Sequence, residues 1–131
     1  MILVDTSAWY ASVIQLDPNH AAAVAWLKQN RRPLITTDYV IDETLSLMKF
    51  RGHPHQAFVF GEGVFRHKRV SVHHLTEHEV QRAWEVFNRF RDKEWSFTDC
   101  TSKVLIEKLG LTTAFAFDHH FRQFGAVTVV P

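Results

Sequence analysis

Apolar and polar positions alternate along the chain in two rhythms, and the switches between them mark the elements. Ile2-Leu3-Val4 is a short, apolar, β-branched run of the kind found in a parallel strand buried on both faces. Asp5-Thr6-Ser7 follows with residues that cap helices, so a helix over Ala8 to Ile14 is predicted. Asp17-Pro18 offers a second N-cap with proline in the first turn, opening a helix to about Gln29. Pro33 to Thr37 reads as a second strand. Thr37 or Asp38 then caps a helix that runs to Phe50 or Arg51 and stops at Gly52. Pro54 opens a further helix, weakened by Gly61 and Gly63, that ends near His67. Val70 to His74 alternates as a third strand. Thr76 and Glu79 have capping-box spacing ahead of a long helix. Val80, Ala83, Trp84, Phe87 and Phe90 on that helix recur at helical spacing and are expected to face the core. A helix from Asp99 to Leu109, closed by Gly110, precedes a fourth strand over Thr112 to Phe117 and a fifth over Ala126 to Val130.

Strands alternating with helices predict an α/β fold, a mainly parallel sheet covered on both faces. No linker, repeat or low-complexity tract divides residues 1–131, so a single domain is expected. Eleven Phe and four Trp supply a sizeable core, and 22% charged residues is ordinary for a globular protein. The longest stretch without Asp, Glu, Lys or Arg is Thr6 to Leu16, well short of the roughly 20 apolar residues of a membrane span. Asp5 interrupts the first apolar run, no basic leader precedes it, and the single cysteine leaves no internal disulfide, so a cytoplasmic location is expected. A net charge of +1 does not by itself point to nucleic acid. Basic residues do gather locally, as at Lys49 and Arg51 and over Arg66 to Arg69. The simplest reading of such groups is solvated helix ends beside the negative pole of a helix dipole.

Acids fall where such a fold places ligands, outside the carboxyl ends of the strands. Asp5 ends the first strand, Asp118 ends the fourth, Asp99 begins a helix, and Glu43 lies one to two turns into the helix after the second strand. Taken singly, Asp5 and Asp99 could be helix caps, Asp118 a turn residue, and Glu43 a solvated position beside Asp42. Together they suggest a carboxylate cluster. Such a cluster is unfavourable alone, because like charges repel, and divalent cations relieve it. Mg²⁺ and Mn²⁺ take oxygen ligands, and a pair of such ions roughly 3.5–4 Å apart can activate water and stabilise the leaving oxygen of a phosphodiester.

The motifs around these acids carry a resemblance. Val4-Asp5-Thr6-Ser7 is similar to the opening strand and loop of PIN domains. Thr37 to Thr44, with Glu43 at the acidic position, looks like their second motif, Phe97-Thr98-Asp99-Cys100 like the third, and Ala116 to Phe121 like the fourth. The order and spacing cover essentially the whole chain, and a free-standing domain of this length resembles the VapC toxins. The resemblance implies a three-layer α/β/α fold with five strands and a Mg²⁺- or Mn²⁺-dependent endoribonuclease. Asp5, Glu43, Asp99 and Asp118 would be its catalytic metal ligands, with Thr6 or Ser7 supporting the water at the metal. It also implies hydrolysis to a 5′-phosphate and a 3′-hydroxyl, a homodimer, and a cognate antitoxin whose tail covers the acidic groove. The alternative is a PIN-fold module that binds RNA or protein without cutting.

Other classes fit poorly. A receiver domain would show paired acids after the first strand and a late Lys, and a haloacid-dehalogenase-type phosphatase would show Asp-x-Asp there; this chain has Asp5-Thr6-Ser7, and Lys108 is its last lysine. His53-x-His55, His73-His74 and His119-His120 match no familiar zinc spacing, although His119 or His120 could touch an RNA phosphate. Cys100 reads as a small core residue. Trp9 and Tyr10 could stack on a base or meet a protein partner.

Overall fold

In the computed structural model, which describes all 131 residues, the predicted apolar runs become five short strands in one sheet: β1 (Ile2–Val4), β2 (Leu34–Thr37), β3 (Ser71–His73), β4 (Thr113–Phe115) and β5 (Thr128–Val130). Their spatial order is β3-β2-β1-β4-β5, and every neighbouring pair is parallel. β1 is central, with Leu3 opposite both Ile35 and Ala114. Six α-helices accompany the strands: α1 (Thr6–Val13), α2 (His20–Gln29), α3 (Asp38–Phe50), α4 (Pro54–Gly61), α5 (Glu77–Arg89) and α6 (Phe97–Leu109).

The side-chain period of two sorts the core into layers. Ile2, Val4 and Phe115 are buried with Ala8, Ala11 and Ala23 of α1 and α2. Leu3 and Ala114, one residue out of step, are buried with Ala83 of α5 and Val104 and Leu105 of α6. A third cluster joins α1, α3 and α4 through Tyr10, Ile41, Met48 and Phe60. Both faces of the sheet are thus covered, as the expected α/β/α layering requires.

Local chemistry explains most element boundaries, and departs from expectation at three. Asp5 caps α1, accepting from the Ser7 N–H, and Thr37 caps α3 through the Val40 N–H. The Thr76–Glu79 capping box is formed. A second box joins Ser96 to Asp99, so α6 starts earlier than expected and Asp99 occupies the third position of its first turn. Asp17 does not cap α2. Its carboxylate accepts from Asn19 N, forming a tight turn, and Asn19 stands at the helix start instead. The glycines at 61 and 63 coincide with a widening of α4 into a π-helical turn over Glu62–Arg66. Gly110 closes α6 at φ 62°, a left-handed conformation that suits a residue without Cβ.

The third departure is on α5. Trp84 and Phe87 do not face the core; they are 55% and 37% exposed. The inner stripe of α5 passes instead through Glu79, Ala83, Val86 and Phe90. The helix is therefore rotated so that a carboxylate, 1% exposed, takes a place the apolar pattern would assign to an aliphatic side chain. Glu79 is fully engaged there. It accepts from Lys108 Nζ at 2.8 Å and from Thr76 N at 2.8 Å, and sits 2.9 Å from His73 Nε2. These contacts tie β3, α5 and α6 together. Burial by itself would raise the Glu79 pKa; Lys108, the Thr76 N–H and His73 outweigh it and hold the group at about 2.

A lowered carboxylate pKa stabilises the fold above the unfolded value near 4.5, and that contribution is lost as pH falls towards 2. Glu79→Gln is expected to lose about 2 kcal/mol of unfolding free energy at pH 7, where the wild-type Glu79–Lys108 ion pair is intact. Urea melts at pH 7 and pH 3 will show this gap, and the gap will shrink at the lower pH.

Candidate active site

The switch point of the sheet lies between β1 and β4, where the chain leaves the central strand in opposite directions, and here the carboxyl ends of both strands open a cleft. Asp5 follows β1 directly, and its N–H continues the ladder to Phe115 O at 3.0 Å. Phe117 and Asp118 follow β4. One hydroxyl joins these two ends. Ser7 Oγ donates to Asp5 Oδ2 at 2.6 Å and accepts from Phe117 N at 3.0 Å and Asp118 N at 3.2 Å. The first turn of α6 brings Asp99 from one side, held by Ser96 N donating to Asp99 Oδ2 at 2.9 Å. The second turn of α3 brings Glu43, half-buried, whereas Asp42 beside it is exposed.

All four acids singled out in the sequence line this one cleft of about 350 Å³, together with Thr6 and Ser7. The cap reading of Asp5 holds, and the carboxylate that caps α1 also lines the cleft. Thr6 and Ser7 differ in an important way. Ser7 is committed to Asp5 and to the Phe117–Asp118 backbone. Thr6 Oγ1 is buried with no hydrogen-bond partner.

The electrostatics show how closely the acids are grouped. Asp5 is 3% exposed, and its burial, reinforced by the nearby charges of Asp99 and Glu43, raises its pKa to about 7 against the lowering effect of the Ser7 hydrogen bonds. Burial likewise raises Asp99, with Asp118 adding to the effect, while the Ser96 N–H and His120 oppose it.

Asp17, His120 and Arg51 are charged or titratable cleft residues whose positions the sequence did not convey. His120 Nδ1 lies 3.0 Å from Asp99 Oδ2 and 3.2 Å from Asp118 Oδ1, between two of the acids, on the short 3₁₀ turn His119–Gln123. Possible ligand atoms of Asp118, His119 and His120 lie within 4.8 Å of one another. The signal for His120 was its place two residues after Asp118. Its ring was available to sequence reasoning, but which neighbours it meets depends on the turn. Arg51, exposed at the carboxyl end of α3, lines the cleft, with its guanidinium 5.0 Å from the centroid of Tyr10. Tyr10 is buried, and the Trp9 ring N–H donates to Thr36 Oγ1 at 3.2 Å, so both rings are structural on this face. Cys100 is fully buried, and burial pushes its thiol up to about 11, far from a nucleophile's range.

The donor set suits a hard divalent cation. Four carboxylates from distant parts of the chain, two of them with pKa raised by burial and by neighbouring carboxylates, form a site whose negative charge an external cation would relieve.

Comparison with known proteins agrees with this geometry. The PIN domain pattern matches residues 2–127. The 23S rRNA-specific endonuclease VapC20 of Mycobacterium tuberculosis is 34% identical over 131 residues, covering 100% of this chain and 99% of that one. A VapC ribonuclease of Archaeoglobus fulgidus is 29% identical over 126 residues, covering 91% of this chain and 78% of its own. Among solved structures, that of M. tuberculosis VapC20, described as a sarcin-ricin loop cleaving toxin, superposes with a TM-score of 0.92 at 31% identity, with both chains covered in full. FitAcB from Neisseria gonorrhoeae shares the fold at a TM-score of 0.68 and 17% identity, over 100% of this chain and 97% of its own. No helix is long and apolar enough to cross a membrane. The chain belongs to the PIN-domain family, and within it to the VapC ribonucleases.

Proposed function

We propose that this ribonuclease hydrolyses RNA with Mg²⁺ or Mn²⁺ held by Asp5, Glu43, Asp99 and Asp118, and that ribosomal RNA is its substrate class. The observation that carries the site assignment is the convergence of these four acids, 113 residues apart at the extremes, on a single cleft at the switch point of the sheet. The substrate class follows from the 34% identical relative, a 23S rRNA-specific endonuclease. A module that only binds RNA or protein is the weaker reading, since all four acids are present in one cleft and the relatives are nucleases.

When bound, a divalent ion supplies Lewis-acid stabilisation of charge on the phosphodiester and favours ionisation of the attacking water. The chain's own groups do the rest. Asp5 and Asp99, anchored by Ser7 and Ser96, are presented in fixed orientations, so little reorganisation is needed when the cation and substrate arrive. Ser7 is a positioning residue that keeps the Asp5 and Asp118 loops in register. The Thr6 hydroxyl, buried beside this cleft and without a hydrogen-bond partner, is the one of the two that is not already committed. The sequence resemblance extends the proposal to 5′-phosphate and 3′-hydroxyl products and to two protein partners, a second copy of this chain and a cognate antitoxin that covers the acidic cleft.

Purified protein incubated with ribosomal RNA is expected to cut it with Mg²⁺ or Mn²⁺ and not with EDTA. Asp99→Asn should retain the fold and lower the rate by ~100-fold or more. Wild-type activity in that variant at saturating metal would remove Asp99 from the site.

A second expectation concerns pH. A carboxylate must be ionised to hold a cation, so metal affinity measured by calorimetry should rise as pH passes through about 7, the Asp5 value, and then level off. For the metal-free fold the sign is reversed. The raised Asp5 pKa contributes stability below the unfolded value near 3.8, and this is lost as pH climbs to about 7, by up to ~4 kcal/mol for a shift of this size. Asp5→Asn, which still caps α1, should therefore gain in Tm relative to wild type between pH 5 and pH 8 in EDTA. A gap between the two proteins that does not change with pH would contradict the raised pKa.

A further inference from the structure

RNA entering this cleft meets strong negative charge, since Asp5, Asp17, Glu43, Asp99 and Asp118 all line it. Arg51 is the one permanently cationic side chain among the lining residues. We infer that Arg51 seats a phosphate of the RNA flanking the one that is cut, with Tyr10 as the platform that holds its guanidinium ready. This rests on the nuclease reading above and adds a substrate-binding residue to it.

Three observations support the assignment. First, Glu43, Leu47 and Arg51 follow one another at intervals of four residues along α3, and all three line the cleft. The stripe therefore runs from the carboxylates to the guanidinium over about 12 Å of helix rise, so Arg51 marks a far end of the same cleft and not a metal position. Second, the guanidinium is held at one point while the residue stays open to solvent and so to a ligand: Cζ lies over the ring of buried Tyr10 on α1, 5.0 Å from the centroid. Third, the guanidinium makes neither an ion pair nor a hydrogen bond, although acids line the cleft around it. Stacking holds one face of the group and leaves its N–H edge unused, and that edge is the part that matches a phosphate in a bidentate fork. A lysine would supply charge without that geometry.

The test separates this role from a structural one and from the nuclease reading. A fluorescein-labelled RNA hairpin is titrated by polarisation against an Asp99→Asn/Asp118→Asn background, which cannot cut and carries two fewer negative charges, over a range of salt concentrations. Arg51→Ala on that background should bind roughly tenfold more weakly. Its slope of log K against log salt should be shallower by about 0.7, the value for one lost phosphate contact on single-stranded RNA. Arg51→Lys should recover the slope but only part of the affinity. In the otherwise wild-type enzyme, Arg51→Ala should raise KM and leave kcat within about twofold. Calorimetric metal affinity should be unchanged. Unaltered affinity and slope in a folded Arg51→Ala protein that still binds RNA would overturn the assignment while leaving the nuclease intact. Absence of RNA binding by the background, together with no cleavage by the wild type, would remove the nuclease reading and this assignment with it.

Discussion

The parallel pairing of β1 with β4 is the interaction on which the site depends. Leu3 opposite Ala114 and Val4 opposite Phe115 set the two strand ends level, so that Asp5 emerges beside the Phe117–Asp118 segment. Side-chain alternation then fixes the layers, because moving either strand by one residue would turn its buried face outwards. Ser7 completes the arrangement with one hydroxyl that donates to a carboxylate and accepts from two backbone N–H groups. The loops that carry the acids are consequently held by the sheet and by each other, and α3 and α6 need only present their second and first turns to the same opening.

Two buried carboxylates show how the protein treats charge in different places. Glu79 and Asp5 are each almost completely removed from solvent. At Glu79 the fold supplies its own partners, the Lys108 ammonium, the Thr76 N–H and the His73 ring, and the pKa falls to about 2. At Asp5 the neighbours are further acids, and the pKa rises to about 7. The first group is a structural clasp between β3, α5 and α6. The second is left electrostatically incomplete, which is favourable for folding only when its proton stays on or an external cation takes the proton's place. A structural role would not require that expense; metal binding does.

The cleft also carries charge of both signs. Five acids and His120 line it, and Arg51 with its Tyr10 platform lies two turns beyond Glu43 along the same stripe of α3. A polyanionic substrate would be repelled by the acids without a cation and attracted by Arg51. One helix thus carries both a candidate metal ligand and a candidate phosphate contact, so its orientation bears on both.

Much of this protein could be read from its sequence. The strand and helix pattern, the α/β class, the capping residues Thr37 and Thr76, and the four acids with Thr6 and Ser7 all rest on local periodicity or on short motifs, and those act over a few residues. The family followed from the order of the same motifs. Other features needed the tertiary structure. The strand order, the rotation of α5 that exposes Trp84 and buries Glu79, the division of labour between Ser7 and Thr6, and the positions of His120 and Arg51 all depend on residues far apart in the chain. Glu79 is buried where Lys108 and His73 reach it, and Arg51 meets the Tyr10 ring only because α1 and α3 pack side by side. An apolar pattern records how a residue prefers to be solvated, whereas the partner that compensates a buried charge is supplied only when distant segments pack together.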